Sequence, residues 1–283
     1  MVFDWAGHRK HREYMIREMG QWAGVLDENG IPLCDLPPVV EMEGGTARGD
    51  VGELTLTAQV RTPSGVVHPV VDALVAADLG KVDSEGKLVP SSEPTRFICI
   101  ERAGVRMAYR VMFTEATGGM VEPSQVKVNA VGILDVLQGI PAWSNPRSIT
   151  GEFRTLNQDF AVMWETPRQV AGVSMATRAD GYTVHGEATT QIKRLIDESM
   201  VAVMRITGEK NAPVVCEVLP GGQSPEVFIR PEDDSLWETI VPVATAAGVE
   251  ITGTMWLPGD EQPAGLSLSL PTVLVWLRQQ ERE

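Results

Sequence analysis

The pattern of this chain predicts an α+β fold, and three stretches carry that expectation. From Glu187 to Ile206 the apolar residues Ile192, Leu195, Ile196, Met200, Val203 and Met204 recur at three- and four-residue steps, which lays them on one helical face. Lys193, Arg194, Asp197 and Glu198 fall on the other face, and Gly208 stands where a helix needs a left-handed residue to stop. Ser235-Leu-Trp-Glu238 spells a capping box, with the serine hydroxyl accepting a backbone N–H and Glu238 reaching back; Gly248 marks the end of that second helix. Pro242 lies inside it and predicts a kink or a break, because proline has no N–H for the ladder. Val249, Ile251, Met255 and Leu257 then alternate with Glu250, Thr252, Thr254 and Trp256, the period of a half-buried strand. With short strands over 214–218 and 226–229, residues 182–283 read as one α+β unit.

The remainder, taken in order, is richer in strands. Residues 4–19 form a helix with Trp5, Met15, Ile16 and Met19 loosely on one side, stopped by Gly20, and 1–20 is read as an N-terminal helix or arm. His8 and His11 lie in its basic cluster; the functional alternatives are a metal pair or a docking arm, the plain one a solvated helix face. Asn29-Gly30 signals a hairpin, and VVEMEGG and ELTLTAQV alternate as strands do. Arg48-Gly49-Asp50 spells a tripeptide that some cell-surface receptors bind, but the glycines around it mark an ordinary turn-rich loop. Pro69 first and Gly80 last bracket a helix over 69–79, with Val70, Leu74 and Ala77 facing the core, and 81–94 is a polar loop.

RFICIERAGVRMAYRVMF is a hairpin turning at Ala103-Gly104, with Arg96, Arg102, Arg106 and Arg110 interleaved. Such a sheet can bind phosphate; the plainer expectation is pairing with acidic neighbours such as Glu101 and Glu115, or with a partner subunit. One more strand and a short helix complete a first domain over 21–140. Between Pro141 and Gly172, proline, glycine, Trp143 and Trp164 appear without steady period, so 141–181 reads as a connecting or insertion region whose tryptophans are candidates for contact with neighbours. The apolar run Leu266–Leu277 is expected to be a last strand closing a sheet.

Composition narrows the function. Lys and Arg number 24 against 38 Asp and Glu, a net charge of −14, which argues against gripping nucleic acid. Cys34, Cys99 and Cys216 are odd in number and far apart, as reduced, packed thiols are. The N-terminus carries no apolar signal-peptide core, and no stretch approaches the ~18 apolar residues of a membrane span. HExxH, GxxxxGK[ST], GxSxG and the Rossmann glycine pattern do not occur. His68 is explained as a helix-start residue, His185 as a strand end, and Asp233-Asp234 by the helix dipole that follows. No catalytic, metal or cofactor residue is assigned, and the chain is expected not to be an enzyme.

Five ordered blocks carry a resemblance: DENGIPLCDLP, RTPSGVVHPVVDALVAADLGKVDSEGKLVP, TRFICIERAGVRMAYRV, GEATTQIKRLIDESM and RPEDDSLWETIVPVATAAGVEITGTMWLPGD. Together they cover most of residues 25–260 and resemble minor tail proteins, or baseplate hub (tail-associated) proteins, of siphophages infecting actinobacteria. The resemblance implies tail-tube-like β-barrel domains decorated with helices, so that 21–140 and 182–283 would each be barrel-like, with an α/β intervening portion, assembled as a homotrimer that continues the tube. It implies a place in the virion at the tail tip, after synthesis in the host cytoplasm. The neighbours would be the distal tail ring protein, other minor tail or fibre proteins, and the tape measure protein, with DNA passing through the lumen unbound. Acidic side chains lining that lumen would repel phosphates over about 10 Å at moderate salt. The rival reading is a tail-tip hydrolase acting on cell-wall peptide or glycan, with His185 near Glu187 as its helper; a bacterial adaptor of a contractile or secretion apparatus is a third.

Overall fold

Alternation in two neighbouring strands builds the first core. In β4 (Glu53–Gln59) and β7 (Pro123–Gly132) the antiparallel register sets Leu54 against Ala130, Leu56 against Val128 and Ala58 against Val126, all buried. These cross-strand pairs fix the register, since a slip of one residue would turn every one of them to solvent. The computed structural model describes residues 3–45, 48–61, 65–75, 82–87, 94–119, 123–176 and 182–281. The chain divides into two compact units, Met1–Ile133 with Thr254–Pro271, and Leu134–Gly253 with Thr272–Glu283.

The first unit is organised on a seven-stranded antiparallel sheet in the order β2-β1-β5-β6-β7-β4-β3. Its other strands are β1 (Gln21–Leu26), β2 (Pro32–Asp35), β3 (Val39–Gly45), β5 (Phe97–Arg102) and β6 (Val105–Gly118). The hairpin turn at Gly30, where φ is 76°, comes where the Asn-Gly pair predicts it, and the Asp27 carboxylate caps it by accepting the N–H groups of Asn29 and Ile31. Helix α1 (Trp5–Met19) is capped by Asp4, which accepts the Gly7 N–H, and ends at left-handed Gly20. Helix α2 is Val70–Leu74, with Val70 and Leu74 buried on the sheet. It is shorter than the expected 69–79, because Val75 is already extended; Ala77 and Gly80 lie outside the described residues.

The sheet of this unit is open. Among the described residues β2 and β3 are its unpaired edges and no sheet closes into a barrel, so the architecture is mixed α+β, mostly sheet with few helices.

The second unit packs helices α3 (Ala188–Thr207) and α4 (Leu236–Ala247) with β11 (Val214–Val218), β14 (Thr272–Gln279) and the first part, residues 249–253, of β13 (Val249–Trp256), the three strands forming one sheet. The α3 stripe buries Ile192, Leu195, Ile196 and Met200, each contributing roughly 1.5–3 kcal/mol of apolar transfer. Helix α3 stops at left-handed Gly208, and α4 starts where Ser235 accepts the Glu238 N–H. Of the kink or break expected at Pro242, the break does not occur. Helix α4 runs on to Ala247, held by the buried face of Leu236, Trp237, Ile240 and Ala244, which outweighs one missing ladder bond. The last apolar run supplies the expected final strand, from Thr272 on, but β14 is central in its sheet, parallel to β11 on one side and flanked by β13 on the other. Its burial along Thr272–Val275 explains why the sequence there is continuous rather than alternating. A separate pair, β10 (Val184–Glu187) with β12 (Glu226–Ile229), is antiparallel. Among the described residues no helix is long and apolar enough to cross a membrane.

Candidate functional site

Residues 153–171, read from sequence as aperiodic, form a two-stranded antiparallel ribbon, β8 (Phe153–Gln158) and β9 (Met163–Ala171). From Glu152 to Val170 every residue is exposed except Trp164, which is half-buried under the guanidinium of Arg168, 4.4 Å from the ring centroid. The turn at the tip is built by Asp159, whose carboxylate accepts the N–H groups of Ala161 and Val162 and sits below the usual carboxylate range for that reason. This turn presents Phe160, fully exposed at 112%, beside Val162 and Met163, exposed at 60% and 72%. Phe153, Leu156 and Val170 are exposed as well. Several large apolar side chains left in water along one ribbon are the less common observation for a folded chain, and mark contact with something else.

The ribbon is exposed but firmly rooted in the second unit. Ser148 Oγ accepts the Ser174 N–H at 3.1 Å, and Ser144 Oγ accepts the Ala176 N–H at 3.0 Å. Ser144 donates in turn to Asp233, through its hydroxyl at 2.7 Å and its backbone N–H at 2.8 Å. Asp233 adopts φ 68°, a left-handed conformation that aspartate tolerates better than most residues. At the entry to β8, Gly151 has φ 78°, and a Cβ there would lie 2.0 Å from the Arg205 carbonyl oxygen at the end of α3. Only glycine allows that approach.

The first unit holds a different polar cluster. Arg12 on α1 is 2% exposed and bonds Glu101 on β5 at 2.5 Å and Asp260 at 2.7 Å. Arg106 on β6 bonds the same two carboxylates and the Met255 carbonyl. Burial alone would push the Asp260 carboxyl up; hydrogen bonds and charge from Arg106 and Arg12 overcome it and hold the group below the usual range. Two arginines and two carboxylates balance, so this cluster is a staple with no spare charge for a phosphate. Glu101 and Arg106 meet across the hairpin, as the plainer reading of the arginines expects. Glu115 instead lies by Lys127 and Asn129, and Arg96 pairs with Glu28.

The histidines scatter. His11 lies 2.6 Å from Asp35, while His8 packs edge-on against Phe3, Trp5 and Trp22, its pKa lowered to about 4 by burial and then by Arg12. Among the described residues no group of three or more His, Cys, Asp or Glu is placed to hold a metal ion. His68 accepts the Val70 N–H at the start of α2, and His185 stacks on exposed Phe228 at 4.2 Å and lies 3.3 Å from Glu226. Glu187 and Asp197 are exposed, Asp197 beside Lys193. Burial pushes the thiols of Cys99 and Cys216 up to about 12 and that of half-buried Cys34 to about 11, which keeps them protonated and inert. In Arg48-Gly49-Asp50, Gly49 has φ 74° and Asp50 accepts the Gly52 N–H, as in an ordinary turn.

Sequence reasoning missed the ribbon because Pro167 and the irregular register around it hide the alternation; the usable signal was Asp159 followed by an apolar tip between two short runs. No protein-family model matches the chain, and no curated protein matches its sequence.

Proposed function

We propose that this chain is a structural subunit of a phage tail tip, a baseplate hub or minor tail protein, whose work is to join neighbours mechanically. The observation that carries the reading is the rooted, exposed apolar ribbon β8–β9, which has the character of an assembly element. The ordered sequence blocks described above supply the kind of assembly. In this reading three copies form a ring that continues the tail tube, the open seven-stranded sheet contributing to a tube-like wall. The distal tail ring, fibre or other minor tail proteins and the tape measure protein would be its neighbours, in the virion, and the net charge of −14 would let DNA pass without adhering. Reconstruction of the intact particle tests it: density for this chain around the tail axis is expected, and a position away from that axis would remove the proposal.

A further inference from the structure

We propose that the outer edge of β8, Phe153–Gln158, is a self-association edge that takes a strand from a second copy of this chain. The inference rests on the assembly reading above, since it names the segment through which copies join.

The two edges of the ribbon are unequal. Natural sheets blunt exposed edges with proline, lysine or bulges, because an open row of N–H and C=O groups invites another strand. On β9 two of these devices are present: Pro167 has no N–H to give, and the register passes from Leu156↔Arg168 to Gln158↔Met163, so residues 164–167 bulge opposite Asn157. β8 has no proline and no lysine, its sequence FRTLNQ carries the single charge of Arg154, and among the described residues its only strand partner is β9. An isolated pair of strands is marginal in water, and a third strand would cover Phe153 on one face and Leu156 on the other.

Charge selects the occupant. Copies of a chain carrying −14 repel one another over most of their surface. Over 153–171 Arg154 and Arg168 cancel Asp159 and Glu165, so here two copies can approach closely. A basic partner would be drawn to acidic surface instead. The serine and Asp233 bonds at the root hold the strand ready, which lowers the entropy lost on pairing.

The test uses the full chain in sedimentation velocity with hydrogen exchange read in parallel. Wild type is expected to associate as its concentration rises, with β8 amides slowed in the associated form. Leu156→Lys and Thr155→Pro should each weaken association by about tenfold or more while leaving the melting temperature unchanged at protein concentrations where the wild type is monomeric. Thr155→Cys should cross-link to its own copy under mild oxidation, and exposed Glu85→Cys should not. Association undiminished in both variants overturns the β8 edge and leaves the assembly reading standing. A wild type that stays monomeric, with no Thr155→Cys cross-link, also overturns the edge. Association through β8 in a protein located off the tail axis keeps the edge and removes the tail reading.

Discussion

The Arg12 cluster and the β8–β9 ribbon invert the usual rule in opposite directions. In the first unit, a guanidinium that is 2% exposed is taken into the interior; in the second, Phe160 is left wholly in water. The buried arginine is tolerable because both of its carboxylate partners come with it, from β5 and from the segment after β13. The exposed phenylalanine has no counterpart within the described residues. A charged side chain inside a fold therefore reports on the fold itself, whereas an apolar side chain outside reports on what the fold meets.

The sharpest way to break this contrast is to remove one partner from the buried cluster. Arg12→Met should destabilise the protein by about 3–5 kcal/mol, because Glu101 and Asp260 would keep their burial and lose half their compensation. Denaturant melts followed at equilibrium would show it, and a change under about 1 kcal/mol would mean that Arg106 alone satisfies both carboxylates.

The root of the ribbon comes next in size. Gly151→Ala sets a methyl against the Arg205 carbonyl at a positive φ, and should cost about 2–3 kcal/mol and raise hydrogen exchange through β8. Ser144→Ala removes the hydroxyl bonds to Asp233 and Ala176 and should cost about 1–2 kcal/mol. If neither variant changes exchange in the ribbon, its order does not depend on these anchors.

A smaller effect is expected from pH. His8 is held neutral, its pKa lowered from 6.5 to about 4, so the unfolded chain binds the extra proton first. Its contribution to stability is complete above about pH 6.5 and is lost as pH falls toward 4. Asp260, whose folded pKa is depressed, acts only lower, its contribution present above about pH 4 and lost below. His8→Phe keeps an aromatic ring against Trp22 and should flatten the stability profile between pH 6.5 and 4. An unchanged slope there would assign the acid sensitivity elsewhere.

Local chemistry explains which parts were legible in the sequence. Gly20, Gly208, Gly248 and Ser235 end or begin helices by conformations and bonds that need only their own neighbours, and they sit where the pattern puts them. The central place of β14 and the continuity of α4 across Pro242 depend on burial supplied by distant residues, which spacing does not encode. Arg12 was hidden for the same reason: on a linear chain it belongs to a basic run, and only the approach of Glu101 and Asp260, 89 and 248 residues away, takes it inside. The ribbon failed differently, its alternation broken by the bulge and proline that blunt one of its edges.

The smallest expected effect on folding is the one that separates the two regions most cleanly. Phe160→Ser changes a fully exposed side chain, so stability should move by less than about 0.5 kcal/mol, the level of an ordinary surface substitution. The same replacement in the core, at Leu56 for example, would remove a fully buried side chain and cost several kcal/mol. If Phe160→Ser nonetheless lowers the melting temperature and does so more at high protein concentration, the apolar tip is covered in solution by another copy. The apparent stability then contains an association term that grows with concentration, and the contrast between inside and outside becomes one between folding and assembly.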